Sequence, residues 1–465
     1  MLNILIIVLS VALVGQTVTF QTESNGNYNY GDVIHSSLLF YEAQRSGKLP
    51  TDNRIPWRGD SMLDDGKTVG LDLTGGYFDA GDYVKFNFPM AYTVTVLSWG
   101  AIEFEDAYIR AGELDNVRKA IKWGTDYFIK CHTNEDQLYG QVGNGEEDHA
   151  VWSRPEDWSK TGKVRPAYKI TSNKGGSDLA GETAAALAAA SMVFRKTDPT
   201  YADLVLKHAK SLYTFADQHR DTYTSEITDA INFYKSWSGF GDELAWSALW
   251  LLRATNDSQY RAQVDKHFQE FASKLTGRPS EFGWDDKTAG VQVLAAQLIG
   301  DEKYKTMVKT FCDWVVNSAP KTPKGLVYIN EWGTLRHAGN VAFICLQAAK
   351  LGINEQPYRK FGESQIGYIL GDTGRSFVVG LGVNPPTHPH HRSSSCPNPP
   401  AVCDYGAETN PGPNPHVLTG AMVGGPDRND VYDDKRTDYM HNEVAIDYNA
   451  AFQGSLTALL HFQLK

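Results

Sequence analysis

The 465-residue sequence has few cysteines, no excess of positive charge and no long apolar run beyond its first twenty residues. Its five cysteines include no Cys-x-x-Cys pair, which removes the usual zinc frameworks, and their odd number leaves at least one thiol unpaired within a monomer. A formal net charge of −11 argues against nucleic acid or an anionic membrane as partner, because both are bound through basic surfaces. No Ser-, Pro- and Thr-rich tract separates one part of the chain from another, so a tethered binding module is not expected. Hydrophobic residues at 42% and charged residues at 21% allow a large core and exclude general disorder.

The early apolar run, Ile4 to Val14 broken by Ser10, has the length of a leader core and is too short to span a bilayer. Residues 1–20 are therefore expected to be a secretory signal cut somewhere in 15–21, although no basic residue precedes the run. Residues 21–465 are expected to form one domain of a secreted monomer. The sequon Asn256-Asp257-Ser258 fits the same route. Cys396 and Cys403 lie close in a Pro- and Ser-rich loop and are expected to bridge it in an oxidising compartment. Cys131, Cys312 and Cys345 fall in helix-like segments and are expected to be buried thiols.

What the chain has in quantity is a repeat. Gly181–Phe194, Asp242–Ala254, Ala289–Ile299 and Val341–Leu351 carry small and apolar residues on most faces, as buried helices do. Each is followed by a polar turn and then by Tyr201, Tyr260, Tyr304 or Tyr358 at the opening of a more charged, one-sided helix. Inner helix, turn, outer helix is the pattern of stacked helical hairpins. About twelve helices are expected between Tyr30–Arg45 and Asn442–Phe462, an all-α array. If the first pairs with the last, about six hairpins close into a toroid that needs no polar caps. The long non-helical stretches, Pro50–Pro89, Thr133–Ser177 and Asp372–Asp438, then become loops gathered around a cleft.

The first of these loops contains Gly75-Gly76-Tyr77-Phe78-Asp79-Ala80-Gly81-Asp82-Tyr83. Asp79 and Asp82, separated only by Ala-Gly, are able to face one small space and grip a water from two sides, one of them with a raised pKa. The plainer alternative is a turn-forming Asp and a helix cap. Near the C-terminus, Tyr432–Ala450 contains Asp434 and places Glu443 in the expected first turn of the last helix, where a dipole-favoured capping acid is the alternative. Val383–Arg392 gathers His388, His390, His391 and Arg392. Recognition of hydroxyls suits this group better than a metal, given its prolines and its guanidinium.

Together these segments resemble glycoside hydrolase family 9, the cellulases built on an (α/α)6 barrel. The Asp-Ala-Gly-Asp, Phe377–Arg392 and Tyr432–Ala450 segments match family signatures in order and spacing, and the resemblance runs from about Asn27 to near Lys465. It implies an inverting endo-β-1,4-glucanase with Asp82 as general base, Asp79 as its water-holding partner and Glu443 as general acid. His390, Arg392 and Asp434 match positions at the cleaved sugar. His149, Trp152, Tyr234, Trp237, Trp332, Arg336 and Tyr448 are implied along a groove, where aromatic faces stack on glucose rings. The family also implies a structural calcium held by Ser238, Gly239, Asp242, Glu243 and Asp285, a hard-oxygen set suited to that ion. Read alone, Asp242 and Glu243 are acids at a helix start. A mixed-linkage β-glucan as main substrate and a non-catalytic glucan-binding protein are the other readings. The lack of a tethered module favours random over processive cutting.

Overall fold

The computed structural model describes residues 28–465; the expected leader and its cleavage site lie outside the described residues. Among the described residues twelve helices of twelve or more residues carry the architecture. In chain order they are α1 (Tyr30–Ala43), α2 (Asn87–Glu103), α3 (Leu114–Cys131), α4 (Ser177–Phe194), α5 (Pro199–Gln218) and α6 (Gly241–Thr255). They continue with α7 (Ser258–Glu270), α8 (Thr288–Ile299), α9 (Glu302–Asn317), α10 (Thr334–Lys350), α11 (Glu355–Leu370) and α12 (Ile446–Gln463).

The even-numbered helices form the inner ring. Each packs on the next, α2 on α4, α4 on α6 and so on to α12, which returns to α2 and closes the toroid. Their composition explains the position: the alanines of α4 from Ala184 to Ala190 are all fully buried, and a helix apolar on every side has nowhere else to go. Small residues also let backbones approach, as where Gly100 of α2 faces Gly454 of α12. The odd-numbered helices lie outside, and α1 pairs with α12 to complete the sixth hairpin. The fold is thus an (α/α)6 barrel.

The recurring tyrosines have a shared task. Each is buried and reaches back to the preceding outer helix. The Tyr201 hydroxyl donates to Asp126 Oδ1 at 2.7 Å and that of Tyr358 to Asp313 Oδ1 at 2.8 Å. The Tyr260 ring lies 5.8 Å from that of Tyr213, and Tyr304 4.9 Å from Phe268. These contacts join neighbouring hairpins on the outside, where the inner helices cannot.

Two features depart from the expectation. Part of the long rim loops is sheet: β1 (Lys85–Phe86), β2 (Gln137–Val142) and β3 (Ala167–Thr171) pair antiparallel, with Lys85 opposite Val142 and Leu138 opposite Ile170. The last long helix also begins at Ile446, not at Asn442. A separate turn, Tyr439–Asn442, ends at Glu443, and extended backbone follows to Ala445. Cys396 and Cys403 are joined by a disulfide, while Cys131, Cys312 and Cys345 are buried free thiols.

Candidate active site

Three chain segments are stitched together by backbone hydrogen bonds at one rim of the barrel. Ile446 N donates to Asp79 O at 2.9 Å, Arg392 N to Gly81 O at 3.1 Å and His390 N to Asn442 O at 2.8 Å. The circuit holds Asp79, Asp82 and Glu443 in register although Glu443 lies more than 350 residues from the two aspartates in sequence. Gly81 is required at its centre: a Cβ there would stand 2.2 Å from His390 O, a contact with backbone that no rotamer relieves. The Asp82 carboxylate folds its own turn, accepting from Ala80 N and Val84 N at 3.1 Å each.

Glu443 was expected in the first turn of the last helix, and the structure corrects this. It stands three residues before that helix, in extended backbone that pairs in parallel with His390. The macrodipole is therefore not its partner. Trp332 Nε1 and the Tyr448 hydroxyl both donate to the same oxygen, Oε2, at 2.9 and 3.0 Å. Oε1 has no protein partner in that arrangement and is the oxygen free to carry a proton. Burial, aided by the charges of Asp82 and Asp447, pushes Glu443 up to about 7 against the pull of those two donors.

The two aspartates are not equivalent. Burial and the charges of Asp82 and Asp447 hold Asp79 well above the ordinary carboxylate range. Its Oδ2 accepts from the Tyr234 hydroxyl at 2.5 Å, and its buried Oδ1 has no protein partner. Burial and Asp148 raise Asp82 too, but two backbone N–H groups, His149 and Arg392 favour its anion. When the pair shares one proton, Asp79 takes it and Asp82 keeps its charge.

These groups line a cleft of about 510 Å³. Tyr234 stands in it between Phe86 and Trp284, with ring centroids 5.1 and 4.9 Å away. His149 stacks on Phe233 at 5.2 Å and donates from Nδ1 to Gly145 O, which leaves Nε2 unused. His390 donates from Nδ1 to Arg436 O at 2.7 Å, and burial pushes it down to about 4, so it is a neutral imidazole at the cleft wall. Arg336 lies over the Tyr448 ring and donates to Asp447 Oδ2 at 3.2 Å. Phe86, Glu146, Asn232, Phe233, Trp284 and Tyr439 also line the cleft and were not expected there. Tyr439 had a signal, standing four residues before Glu443 and turning its half-exposed ring toward Trp332 at 5.6 Å.

Four expected contact residues stand elsewhere. Trp152 is buried, donates to Ser395 Oγ at 3.0 Å and packs edge-on to His390, so it supports the cleft wall from behind. Arg392 is buried between Tyr83 and Trp152, where it donates to Asp148 Oδ1 at 2.6 Å. Asp434 lies off the cleft. Despite partial burial it stays below the usual range, because Thr387 N and Oγ1 and His388 N all donate to it, and it pins that turn. Trp237 is 76% exposed under the ammonium of Lys235 and lies outside the cleft lining.

The expected calcium set, Ser238, Gly239, Asp242, Glu243 and Asp285, is brought together but not as an open cage. Lys274 Nζ donates to Ser238 O at 2.8 Å and pairs with Asp242 Oδ1 at 3.2 Å. Lys287 Nζ pairs with Glu243 Oε1 at 3.0 Å, and its backbone N–H donates to Asp242 Oδ2 at 2.7 Å. Asp285 Oδ1 accepts from Trp237 N at 2.9 Å and Ser238 N at 3.3 Å. Among the described residues no three His, Cys, Asp or Glu side chains converge to hold a metal ion. The donor oxygens already face two ammonium groups, so the residues do not fit a calcium site.

Comparison with known proteins points in one direction. The model of Glycosyl hydrolase family 9 matches residues 30–456. Endoglucanase B of Cellulomonas fimi is 44% identical over 448 residues, covering 93% of this chain and 42% of that protein. The chain therefore spans less than half of that relative. The endoglucanase of the termite Nasutitermes takasagoensis superposes with a TM-score of 0.92 at 57% identity, covering 94% of this chain and 99% of that one. The cellulase Cel9M of C. cellulolyticum, solved in complex with cellobiose, has a TM-score of 0.88 at 34% identity and covers 94% of this chain and 100% of that one.

Proposed function

Since the chain belongs to glycosyl hydrolase family 9, we propose that it is a secreted endo-β-1,4-glucanase that cuts internal bonds with inversion at the anomeric carbon. The observation that carries the reading is the division of labour among three carboxyls that line one cleft. Glu443 keeps its proton at pH values below about 7 and offers Oε1, whereas Asp82 is the favoured anion of the aspartate pair. In the reaction Asp82 and the free Oδ1 of Asp79 hold a water below the sugar ring. Asp82 takes one proton as the water oxygen bonds to the anomeric carbon, and Glu443 gives its proton to the departing glycosidic oxygen. Inversion needs about 6.5–9.5 Å between acid and base. No hydrogen bond links Glu443 to either aspartate, so acid and base are not in direct contact.

The cleft's polar and aromatic side chains suit a polysaccharide. His390 and His149 present ring nitrogens to hydroxyls, and Trp332, Tyr439 and Trp284 present faces and edges to glucose rings. The Cys396–Cys403 disulfide supports secretion, and no helix among the described residues is long and apolar enough to cross a membrane. The test is the first anomer released from a cello-oligosaccharide, followed by NMR, beside the viscosity of carboxymethyl cellulose. Release of the α-anomer with an early viscosity drop is expected; first release of the β-anomer would overturn inversion.

The pH profile checks the acid separately. kcat/KM should fall on the alkaline side as Glu443 ionises near pH 7, and on the acid side as Asp82 is protonated. Trp332→Phe and Tyr448→Phe each remove a donor that favours ionised Glu443, so each should move the alkaline limb to higher pH. A limb that stays in place in both variants would mean that another group sets it.

A further inference from the structure

We propose that Lys274 serves as a built-in cation for the acidic cluster beneath the Tyr234–Trp237 segment, so that this chain holds its cleft wall without a divalent metal. The ammonium carries three N–H donors and faces three oxygens: Ser238 O at 2.8 Å, Asp242 Oδ1 at 3.2 Å and Asp286 Oδ2 at 3.9 Å. It comes from the turn Ala272–Leu275, outside the sequence segments that supply the acids. Lys287 neutralises the other side of the cluster, with Glu243 Oε1 at 3.0 Å and Glu182 Oε2 at 3.6 Å.

An ion entering this site would have to displace Lys274 from the very oxygens it would bind, against the repulsion of two fixed positive charges. What the lysine holds is part of the cleft. Ser238 is tied to Lys274 through its carbonyl and to Asp285 through its N–H, while Ser238 Oγ donates to Asp285 O at 2.7 Å. Four residues earlier in the same segment, Tyr234 donates to Asp79. The lysine therefore secures the strand of chain that orients the partner of the base.

The experiment is metal analysis and thermal unfolding of the full chain, with EDTA and with added calcium chloride, beside Lys274→Met. The wild type is expected to carry far less than one calcium per chain and to show the same Tm in all three conditions. Lys274→Met should lose roughly 2–6 °C, as expected for breaking one partner out of a buried charge cluster in a large domain. Calcium should restore part of that loss in the variant alone. Stoichiometric calcium in the wild type, a lower wild-type Tm in EDTA, or a variant as stable as the wild type would each overturn the proposal. The wild-type measurements decide the matter even when the variant does not fold.

Discussion

Replacing Glu443 by Gln is expected to lower kcat on carboxymethyl cellulose by about 10²–10⁴-fold, the usual contribution of a positioned proton donor. The substitution is close to isosteric. The amide oxygen can still accept from Trp332 Nε1 and the Tyr448 hydroxyl, so the side chain stays in place and only the proton at the Oε1 position is lost. Binding of cellotetraose by the variant should therefore be nearly unchanged. The loss should also depend on the leaving group. A dinitrophenyl cello-oligosaccharide departs without needing a proton, so its hydrolysis should suffer far less than that of a glucan. The alkaline limb of the profile should disappear with the group that titrates there. An equal loss on both substrates would mean that Glu443 acts as something other than the acid.

That Asp79, Asp82 and Glu443 meet in one cleft was legible in the sequence because the family signatures reach across distant loops, yet their surroundings were less so. The toroid followed from the Ala-rich inner helices and the recurrent tyrosines, both of which are local patterns with a direct physical cause. The short strands β1–β3 leave little periodicity, and only their mutual pairing reveals them. Trp152, Arg392 and Asp434 sit beside site residues in sequence, but side-chain direction decides between the cleft and the wall behind it. In each case a hydrogen-bond partner, Ser395, Asp148 or Thr387, draws the side chain away. The misplacement of Glu443 has the same origin. Read as a helical turn, Asn442–Ala445 looks like a start; the parallel pairing with His390 makes it extended. Lys274 has no local signal at all, since it meets Ser238 from 36 residues away.

The two aspartates make unequal predictions under the same substitution. Asp82→Asn removes the anion that accepts the water's proton and should cost about 10²–10⁴-fold in kcat. This loss should persist with a dinitrophenyl leaving group, because activating the water is needed whatever departs; that separates it from Glu443→Gln. Asp79→Asn is a milder change. In the resting pair Asp79 holds the shared proton, and an amide resembles a protonated carboxyl: its oxygen accepts from Tyr234 and its NH2 stands where the hydroxyl was. The expected loss is smaller, about tenfold, since a hydrogen bond to the water is retained while the exchange of the shared proton is lost. The acid limb should stay near its wild-type position in Asp79→Asn, because Asp79 is already uncharged where Asp82 titrates. If Asp79→Asn collapses turnover and Asp82→Asn spares it, the roles are reversed, and the two backbone N–H bonds that hold Asp82 mark it as the positioning residue instead. Product anomers from the residual activity complete the argument. Whichever aspartate acts as base, the product must stay inverted, since neither carboxylate bonds to the sugar.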